Sequence, residues 1–322
     1  MLNKLIIQIP CLNEAETLPT TLADLPRQVE GFREVEWLVI DDGSTDDTVA
    51  VAHQHGVDHV VALGHNQGLA RAFMAGLEAS LKLGADVIVN TDADNQYAAG
   101  SIPDLVRPII AGEALMVLGA RPIATIEHFS PAKKILQRLG SRVVRLASGI
   151  DVVDAPSGFR AIHRDAALRL NVFSAYTYTL ETLIQAGRKN IPLAVVPIEV
   201  NGYLRPSRLV RNIPSYIWRS IITIIRIFVI YKPLRFFGLL ALIISVPGFL
   251  VILRFLYFFA IGEGGGHIQS LVLAVALLTL GGLLAVSGLI GELIGTNRKI
   301  LEEVRTRVLR QEVERARIDV GE

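Results

Sequence analysis

Asp92-Ala93-Asp94 follows the apolar run Val87-Ile88-Val89-Asn90 and sets two carboxylates one residue apart just past a strand. Carboxylates so placed can meet one hard divalent cation together with a bound diphosphate. Mg²⁺ and Mn²⁺ prefer such oxygen ligands and usually complete their shell with substrate phosphate. In isolation the same triplet is also an ordinary solvated turn, so its neighbours decide its meaning. Asp41-Asp42-Gly43-Ser44 closes a second strand-like run. An Asp there can accept hydrogen bonds from a base or ribose, while Gly43 lets the backbone turn closely. Pro10-Cys11-Leu12-Asn13-Glu14 forms another polar mouth, with Asn13 spaced as a helix N-cap. No Gly-x-Gly-x-x-Gly follows the first strand and no Walker loop occurs, which argues against dinucleotide and P-loop chemistry. The seven histidines show no metal-ligand spacing.

These clusters need a scaffold that gathers strand ends. Leu5–Ile9, Trp37–Ile40, His59–Ala62, Val87–Asn90 and Met116–Leu118 read as buried strands. Helical stretches near Glu14–Val29, Asp46–His55, Leu69–Leu83 and Ile102–Ala111 alternate with them. The rhythm predicts βαβ units, an α/β fold whose mostly parallel sheet is covered on both faces. Ligands of such sheets lie beyond the carboxyl ends of the strands, where all three polar clusters fall.

The 322 residues carry a net charge of +1, so no global field points to nucleic acid. The single cysteine, Cys11, rules out an internal disulfide framework. Mean hydropathy is +0.43, and the apolar excess lies after residue 230. Leu234–Ile261 and Ile268–Ile294 each exceed the ~20 residues that cross a bilayer core as a helix, and their short link makes a hairpin. Arg254 is expected to snorkel to the interface or face the partner helix. No acidic residue lies between Glu199 and Glu263, whereas Arg205, Arg208, Arg211, Arg219, Arg226, Lys232 and Arg235 precede or open the first span. The positive-inside rule then predicts a multi-pass protein of the cell (inner) membrane, with both termini and residues 1–205 cytoplasmic. Within 206–232, Ile213–Tyr231 reads as a basic amphipathic helix on the membrane surface. The hairpin fills 233–295. Residues 296–322 read as a charged helical tail with a thin apolar stripe (Ile300, Leu301, Val304, Val308), suited to a solvated helix or a homo-oligomer contact.

Read together, Pro10-x-x-Asn13-Glu14, Asp41-Asp42-Gly43-Ser44, Asn66-x-Gly68-x-x-x-Ala72, Asp92-x-Asp94-x-Gln96 and Ser157-Gly158-Phe159-Arg160 resemble glycosyltransferase family 2. These are inverting nucleotide-sugar transferases of GT-A fold, and the match covers roughly residues 3–205. The resemblance implies that Pro10, Asn13, Glu14 and Asp41 line the nucleotide pocket, with Asp42, Ala93, Gln96 and Arg205 also on the donor side. It implies that Asp92 and Asp94 hold Mg²⁺ or Mn²⁺ on the sugar diphosphate. Within the family, the basic stretch and hairpin look like the polyprenyl-phosphate glycosyltransferases of dolichyl-phosphate mannose synthase type. Members of that group often read Asp-Ala-Asp-Leu-Gln followed by prolines. Asn95 and Tyr97-Ala98-Ala99 stand here instead, which leaves the sugar and the exact subfamily open.

A phosphate monoester is already anionic at neutral pH and needs positioning and charge compensation rather than a base. Arg121, Lys134, Arg138 and Ser141 are candidates to supply that, and the resemblance places acceptor-phosphate contacts at Arg121, Arg138 and Ser141. Arg205 and Arg208 are candidates for the donor diphosphate or the lipid head group. Glu181 and Asp154 are the carboxylates that would serve as base for a sugar hydroxyl acceptor; with a phosphate nucleophile they are expected to bind sugar hydroxyls or orient the pocket. The expectation is thus an enzyme with Asp94, Arg121, Arg138 and Glu181 at the reaction centre, moving a hexose from a UDP- or GDP-sugar to polyprenyl phosphate. The alternatives are transfer to a glycolipid or diacylglycerol hydroxyl, and a non-catalytic membrane scaffold of the same fold.

Overall fold

The computed structural model describes residues 2–122, 145, 149–150, 154–172, 178–202, 222, 225–226, 228–262, 265 and 268–320. The chain divides into two units, Met1–Ile217 with Glu302–Glu322, and Trp218–Leu301.

The first unit is built on a seven-stranded sheet. Its strands are β1 (Leu2–Cys11), β2 (Phe32–Asp41), β3 (His59–Ala62), β4 (Val87–Asn90), β5 (Met116–Ala120), β6 (Arg160–His163) and β7 (Leu193–Pro197). They are ordered β3-β2-β1-β4-β6-β5-β7, and only β6 runs antiparallel to its neighbours. The helices are α1 (Leu18–Asp24), α2 (Thr48–Gln54), α3 (Leu69–Lys82), α4 (Ile102–Ile110), α5 (Arg164–Arg169) and α6 (Tyr178–Arg188). β1 lies between β2 and β4, and Leu5, Ile6, Ile7 and Ile9 are fully buried. A strand covered on both faces must be apolar almost throughout, which is why this run lacks alternation.

β3 and β4 have the expected bounds, while β1 and β2 extend further at both ends. The first helix is much shorter than Glu14–Val29. Asn13 takes a left-handed φ of 54°, and Leu25, which precedes Pro26, is extended at ψ 134°. A residue before proline is driven out of the helical region, which ends α1 there. Asn13 does not cap that helix; Thr17 holds the N-cap position. β6, β7, α5 and α6 are additions. β6 begins with a buried arginine and spans four residues, too short and too polar at its start for a hydrophobic pattern to reveal.

The tail from Glu302 belongs to this unit. Leu309 and Val313 are buried, and Glu302 pairs with Lys189 at 2.8 Å. Arg305 donates to Asn171 Oδ1 at 2.9 Å, and Lys82 meets Glu312 at 3.4 Å. The tail is therefore neither fully solvated nor held only by another copy. Of the expected stripe, Ile300, Leu301, Val304 and Val308 all stay exposed. The docking face lies elsewhere on the helix.

The second unit contains α7 (Pro233–Ala260) and the start of α8 (Ile268–Val320). The most apolar windows of the two helices are only 11% and 17% buried, so they are not core helices of a water-soluble fold. Large side chains such as Leu242, Phe249, Phe259 and Val272 are more than half exposed, which suits a lipid surround. Small residues let the two helices approach. A Cβ on Gly281 would collide with Ser245, and one on Gly291 would lie 2.7 Å from Pro233. Ile213–Tyr231 lies largely outside the described residues.

Candidate active site

The in-phase pairing of Cys11 with Asp41 makes the turns after β1 and β2 emerge side by side. Side chains then lock one turn to the other. Asn13 Oδ1 accepts from Thr45 N at 2.7 Å, and Ser44 Oγ accepts from Asn13 N at 2.9 Å. Asp46 accepts from Ala15 N at 3.1 Å, and Thr48 Oγ1 accepts from Glu14 N at 2.9 Å. Glu14 in turn accepts from the Thr17 hydroxyl at 2.7 Å. Gly43 has φ 77°, and a Cβ there would stand 2.5 Å from the His65 backbone. Only glycine fits that close approach.

Asp41 and Asp42 separate in role. Asp41 Oδ1 accepts from Ser44 N at 3.0 Å, a local turn. Asp42 accepts from Gln67 N at 2.7 Å and Gly68 N at 2.9 Å, one bond to each carboxylate oxygen. It is 3% exposed. Asp42 thus ties down the loop before α3. The Cys11 thiol is buried and pushed well up from its ordinary pKa, first by burial and then by Glu14, Asp41 and Asp46. It is inert at neutral pH.

Asp92 and Asp94 stand at the carboxyl end of β4, and the backbone of the turn they share is pinned throughout. Ala93 O accepts from Thr21 Oγ1 at 2.9 Å, and Asp94 Oδ1 accepts from Gln96 N at 3.2 Å. Asn95 O and Gln96 O accept from the Asn201 side chain and backbone at 3.1 and 2.9 Å. Asn95 has φ 53°, and its amide donates to Asp24 at 2.7 Å. Asparagine adopts this left-handed region more readily than leucine does.

Burial pushes the Asp92 carboxyl up to about 7, and the charge of Asp94 adds to the shift; Arg121 and the Tyr97 hydroxyl oppose it. Two carboxylates that resist joint ionisation are what a divalent cation relieves. Among the described residues no group of three His, Cys, Asp or Glu could hold a metal ion. The carboxylates of Asp92 and Asp94 are hard oxygen donors of the kind that a divalent cation would take together with phosphate and water. That donor set fits Mg²⁺ or Mn²⁺.

Arg121 follows β5 and makes a two-pronged pair with Asp154, Nε at 2.8 Å and Nη2 at 3.0 Å. Its backbone N–H donates to the same carboxylate at 3.1 Å. Asp154 is fully buried, and both of its oxygens are taken by Arg121, so it is Arg121's anchor and not a free base. Arg160 is also fully buried. Its guanidinium donates to Ser157 O at 2.8 Å, Ala155 O at 3.2 Å and Thr182 Oγ1, and so shapes the loop that carries Asp154. Glu181, beside Thr182 in the first turn of α6, is 8% exposed. Asn90 links these parts: it accepts from Gln8 Nε2 at 2.8 Å and donates to Gly158 O at 2.9 Å and Tyr178 Oη at 3.1 Å. Asn90, Asn201, Tyr178 and the anchoring role of Arg160 went unassigned in the sequence; an Asn ending a wholly buried strand was the one available signal. Lys134, Arg138, Ser141, Arg205 and Arg208 lie outside the described residues.

A mostly parallel sheet with acidic turns at its carboxyl edge defines a GT-A transferase, and the comparisons agree. The model of glycosyl transferase family 2 matches residues 6–170, just over half the chain. The chain belongs to that family and is a glycosyltransferase. It is 29% identical to the undecaprenyl-phosphate mannosyltransferase of Micrococcus luteus, over 59% of this chain and 80% of that protein. It is 30% identical to the UDP-N-acetylglucosamine–dolichyl-phosphate N-acetylglucosaminyltransferase of Methanococcus voltae, over 62% of this chain and 86% of that one. An undecaprenyl-phosphate 4-deoxy-4-formamido-L-arabinose transferase from Proteus mirabilis is 28% identical over 95% of this chain and 92% of its own length. Among solved structures, glucosyl-3-phosphoglycerate synthase of Mycobacterium tuberculosis with Mn²⁺, UDP and phosphoglyceric acid shares the fold. The TM-score is 0.54 at 20% identity, covering 69% of this chain and 78% of that one. The same enzyme has been crystallised with Mg²⁺ and UDP.

Proposed function

We propose that this protein is a membrane-anchored inverting glycosyltransferase that moves a hexose from a UDP- or GDP-sugar to polyprenyl phosphate and releases the nucleoside diphosphate. The observation that carries the reading is Arg121 fixed by a buried Asp154 in a family 2 site that also presents Asp92 and Asp94. The chain further has two bilayer-length apolar helices, and several relatives are named for polyprenyl-phosphate acceptors.

Asp92 and Asp94 hold Mg²⁺ or Mn²⁺, which supplies Lewis-acid neutralisation of the departing diphosphate. Asp41, Pro10, Asn13 and Glu14 receive the nucleotide. Arg121, together with Lys134, Arg138 and Ser141, orients the acceptor phosphate, and Arg205 and Arg208 meet the diphosphate or the lipid head group. One phosphate oxygen bonds to the anomeric carbon from the face opposite the leaving group. The bond from that carbon to the diphosphate oxygen breaks, and its electron pair leaves with the diphosphate. No proton needs to move. A hydroxyl acceptor would need a free base, and both carboxylate oxygens of Asp154 are committed to Arg121. Catalysis at the cytoplasmic face of the cell membrane follows from the basic residues flanking the first span.

The test incubates detergent-purified protein and Mn²⁺ or Mg²⁺ with undecaprenyl phosphate and a panel of nucleotide sugars. Mass spectrometry of the lipid fraction is expected to show one sugar added to the phosphate. Turnover confined to lipid hydroxyls would overturn the reading.

A further inference from the structure

Ser157-Gly158-Phe159-Arg160 is a family motif whose glycine the reaction so far leaves without a task. Gly158 lies against the Asp92 carboxylate. A Cβ built on it would stand 3.2 Å from Asp92 Oδ1, 3.3 Å from Asp92 Oδ2 and 2.7 Å from Tyr178 Oη. Its φ lies outside the left-handed region, so space and not backbone conformation calls for glycine here. The peptide itself has no room to withdraw. Its N–H donates to Tyr97 Oη at 2.9 Å, and its carbonyl accepts from Asn90 Nδ2 at 2.9 Å. On either side, Arg160 Nη2 donates to Ser157 O at 2.8 Å, and the Phe159 ring stacks on Tyr97 with centroids 5.1 Å apart. Tyr178 is held as firmly, being buried with its ring stacked on Phe73 at 4.1 Å. The wall beside Asp92 is therefore rigid, and at its nearest point it is bare backbone.

We infer that Gly158 is a positioning residue, whose bare α-carbon seats the Asp92 carboxylate and thereby sets the affinity of the site for its divalent cation. The inference rests on the proposed metal role of Asp92 and Asp94. A methyl group at position 158 would press on both Asp92 oxygens at once, so a half-turn of the carboxylate gives no relief. With the Gly158 peptide pinned, the carboxylate as a whole has to shift by a few tenths of an ångström. Groups that orient a ligand without touching the metal contribute to its affinity, and disturbing them costs metal binding while the ligand itself stays in the chain. Tyr178 meets the same methyl group but has no place among the metal donors. The collision with its hydroxyl is therefore separable from the one with Asp92.

The test is a Mn²⁺ titration of the full-length protein in detergent, with UDP and with GDP in parallel, read by the electron paramagnetic resonance signal of free Mn²⁺. Gly158→Ala combined with Tyr178→Phe removes the collision with the hydroxyl and keeps the one with Asp92. This double variant is expected to match Tyr178→Phe in thermal stability, yet to bind Mn²⁺ about 10–100-fold more weakly than Tyr178→Phe does. Half-maximal turnover should need correspondingly more Mn²⁺, with kcat at saturating Mn²⁺ changed far less. Gly158→Ala alone keeps both collisions and should be less stable than the double variant. Equal Mn²⁺ affinity in the double variant and in Tyr178→Phe overturns the inference and spares the metal reading. A double variant that does not fold overturns it too, because Gly158 would then serve packing rather than the carboxylate. A wild-type protein that binds no Mn²⁺ with either nucleotide overturns both the inference and the metal reading.

Discussion

The donor side and the reaction side of this site are held by different forces. Around Asn13, Asp42 and Asp46, carboxylates and amides accept from backbone N–H groups of a neighbouring loop, while Asp41 closes its own turn, so the turns cast one another in place. Around Arg121, Asp154 and Arg160, charged side chains are paired and hydrogen-bonded largely out of water, with the Asp92 carboxyl raised to about 7 beside them. The first arrangement is a mould whose worth lies in shape. The second is a charge balance, held ready for the anionic groups it is proposed to receive, and an imbalance there should reach the chemical step. Changes on the donor side should therefore alter KM for the nucleotide sugar, while changes on the reaction side should alter kcat.

The largest effect is expected at the carboxylates proposed to hold the metal. Asp94→Ala, or wild type in EDTA, should lower turnover by at least about 10²–10³-fold, in the range of losing one preorganised electrostatic contact. Wild-type rates in Asp94→Ala with EDTA present would end the metal mechanism. Asp154→Asn comes next. It leaves the Arg121 guanidinium, on a side chain only 10% exposed, without its counter-charge. Breaking a buried pair typically costs about 3–5 kcal/mol, so thermal or urea unfolding should register a large loss of stability together with a fall in kcat. A fall in kcat matched by no loss of stability would return Asp154 to the role of base.

Asp42→Ala tests the mould. It removes two charge-assisted hydrogen bonds to Gln67 N and Gly68 N, of about 1.5–3 kcal/mol each. The expected signature is lower stability and a raised KM for the sugar nucleotide, with kcat at saturation little changed. A kcat effect as large as that of Asp94→Ala would erase the distinction between the two sides.

The smallest predicted effect is a pH dependence. The folded Asp92 carboxyl is raised to about 7, so between its ordinary value and 7 the folded chain holds a proton that the unfolded chain has lost. Stability of the metal-free protein should therefore fall as pH rises through that window. Mn²⁺ competes with the same proton, so the rise in Tm on adding Mn²⁺ should be larger at about pH 8 than at about pH 6. A Mn²⁺-induced shift independent of pH would detach Asp92 from the metal.

Much of this was legible without coordinates. His59–Ala62 and Val87–Asn90 are short apolar runs bounded by polar turns, and both strands form with those bounds. The two bilayer-length helices follow from almost continuously apolar composition. The acidic turns lie at the carboxyl edge because a parallel sheet gathers strand ends on one side. Less legible was what each polar residue touches. Asn13 looks like a helix cap by spacing but bonds across to Thr45, 32 positions away. Asp42 stands beside Asp41 in sequence yet serves a different loop.

By itself, then, the sequence determined the class of fold, the membrane-length helices and the family motifs, because hydrophobic period and local spacing are properties of neighbouring residues. Tertiary structure alone decided that Asp154 anchors Arg121, that Arg160 holds the turn after Asp154 and bonds across to Thr182, and that the tail returns to pack with Lys189 and Asn171. The longest of these joins Arg305 to Asn171, 134 positions apart. Such long-range pairings arise only when the fold brings distant segments together, and there burial makes every unpaired charge costly enough to dictate its partner.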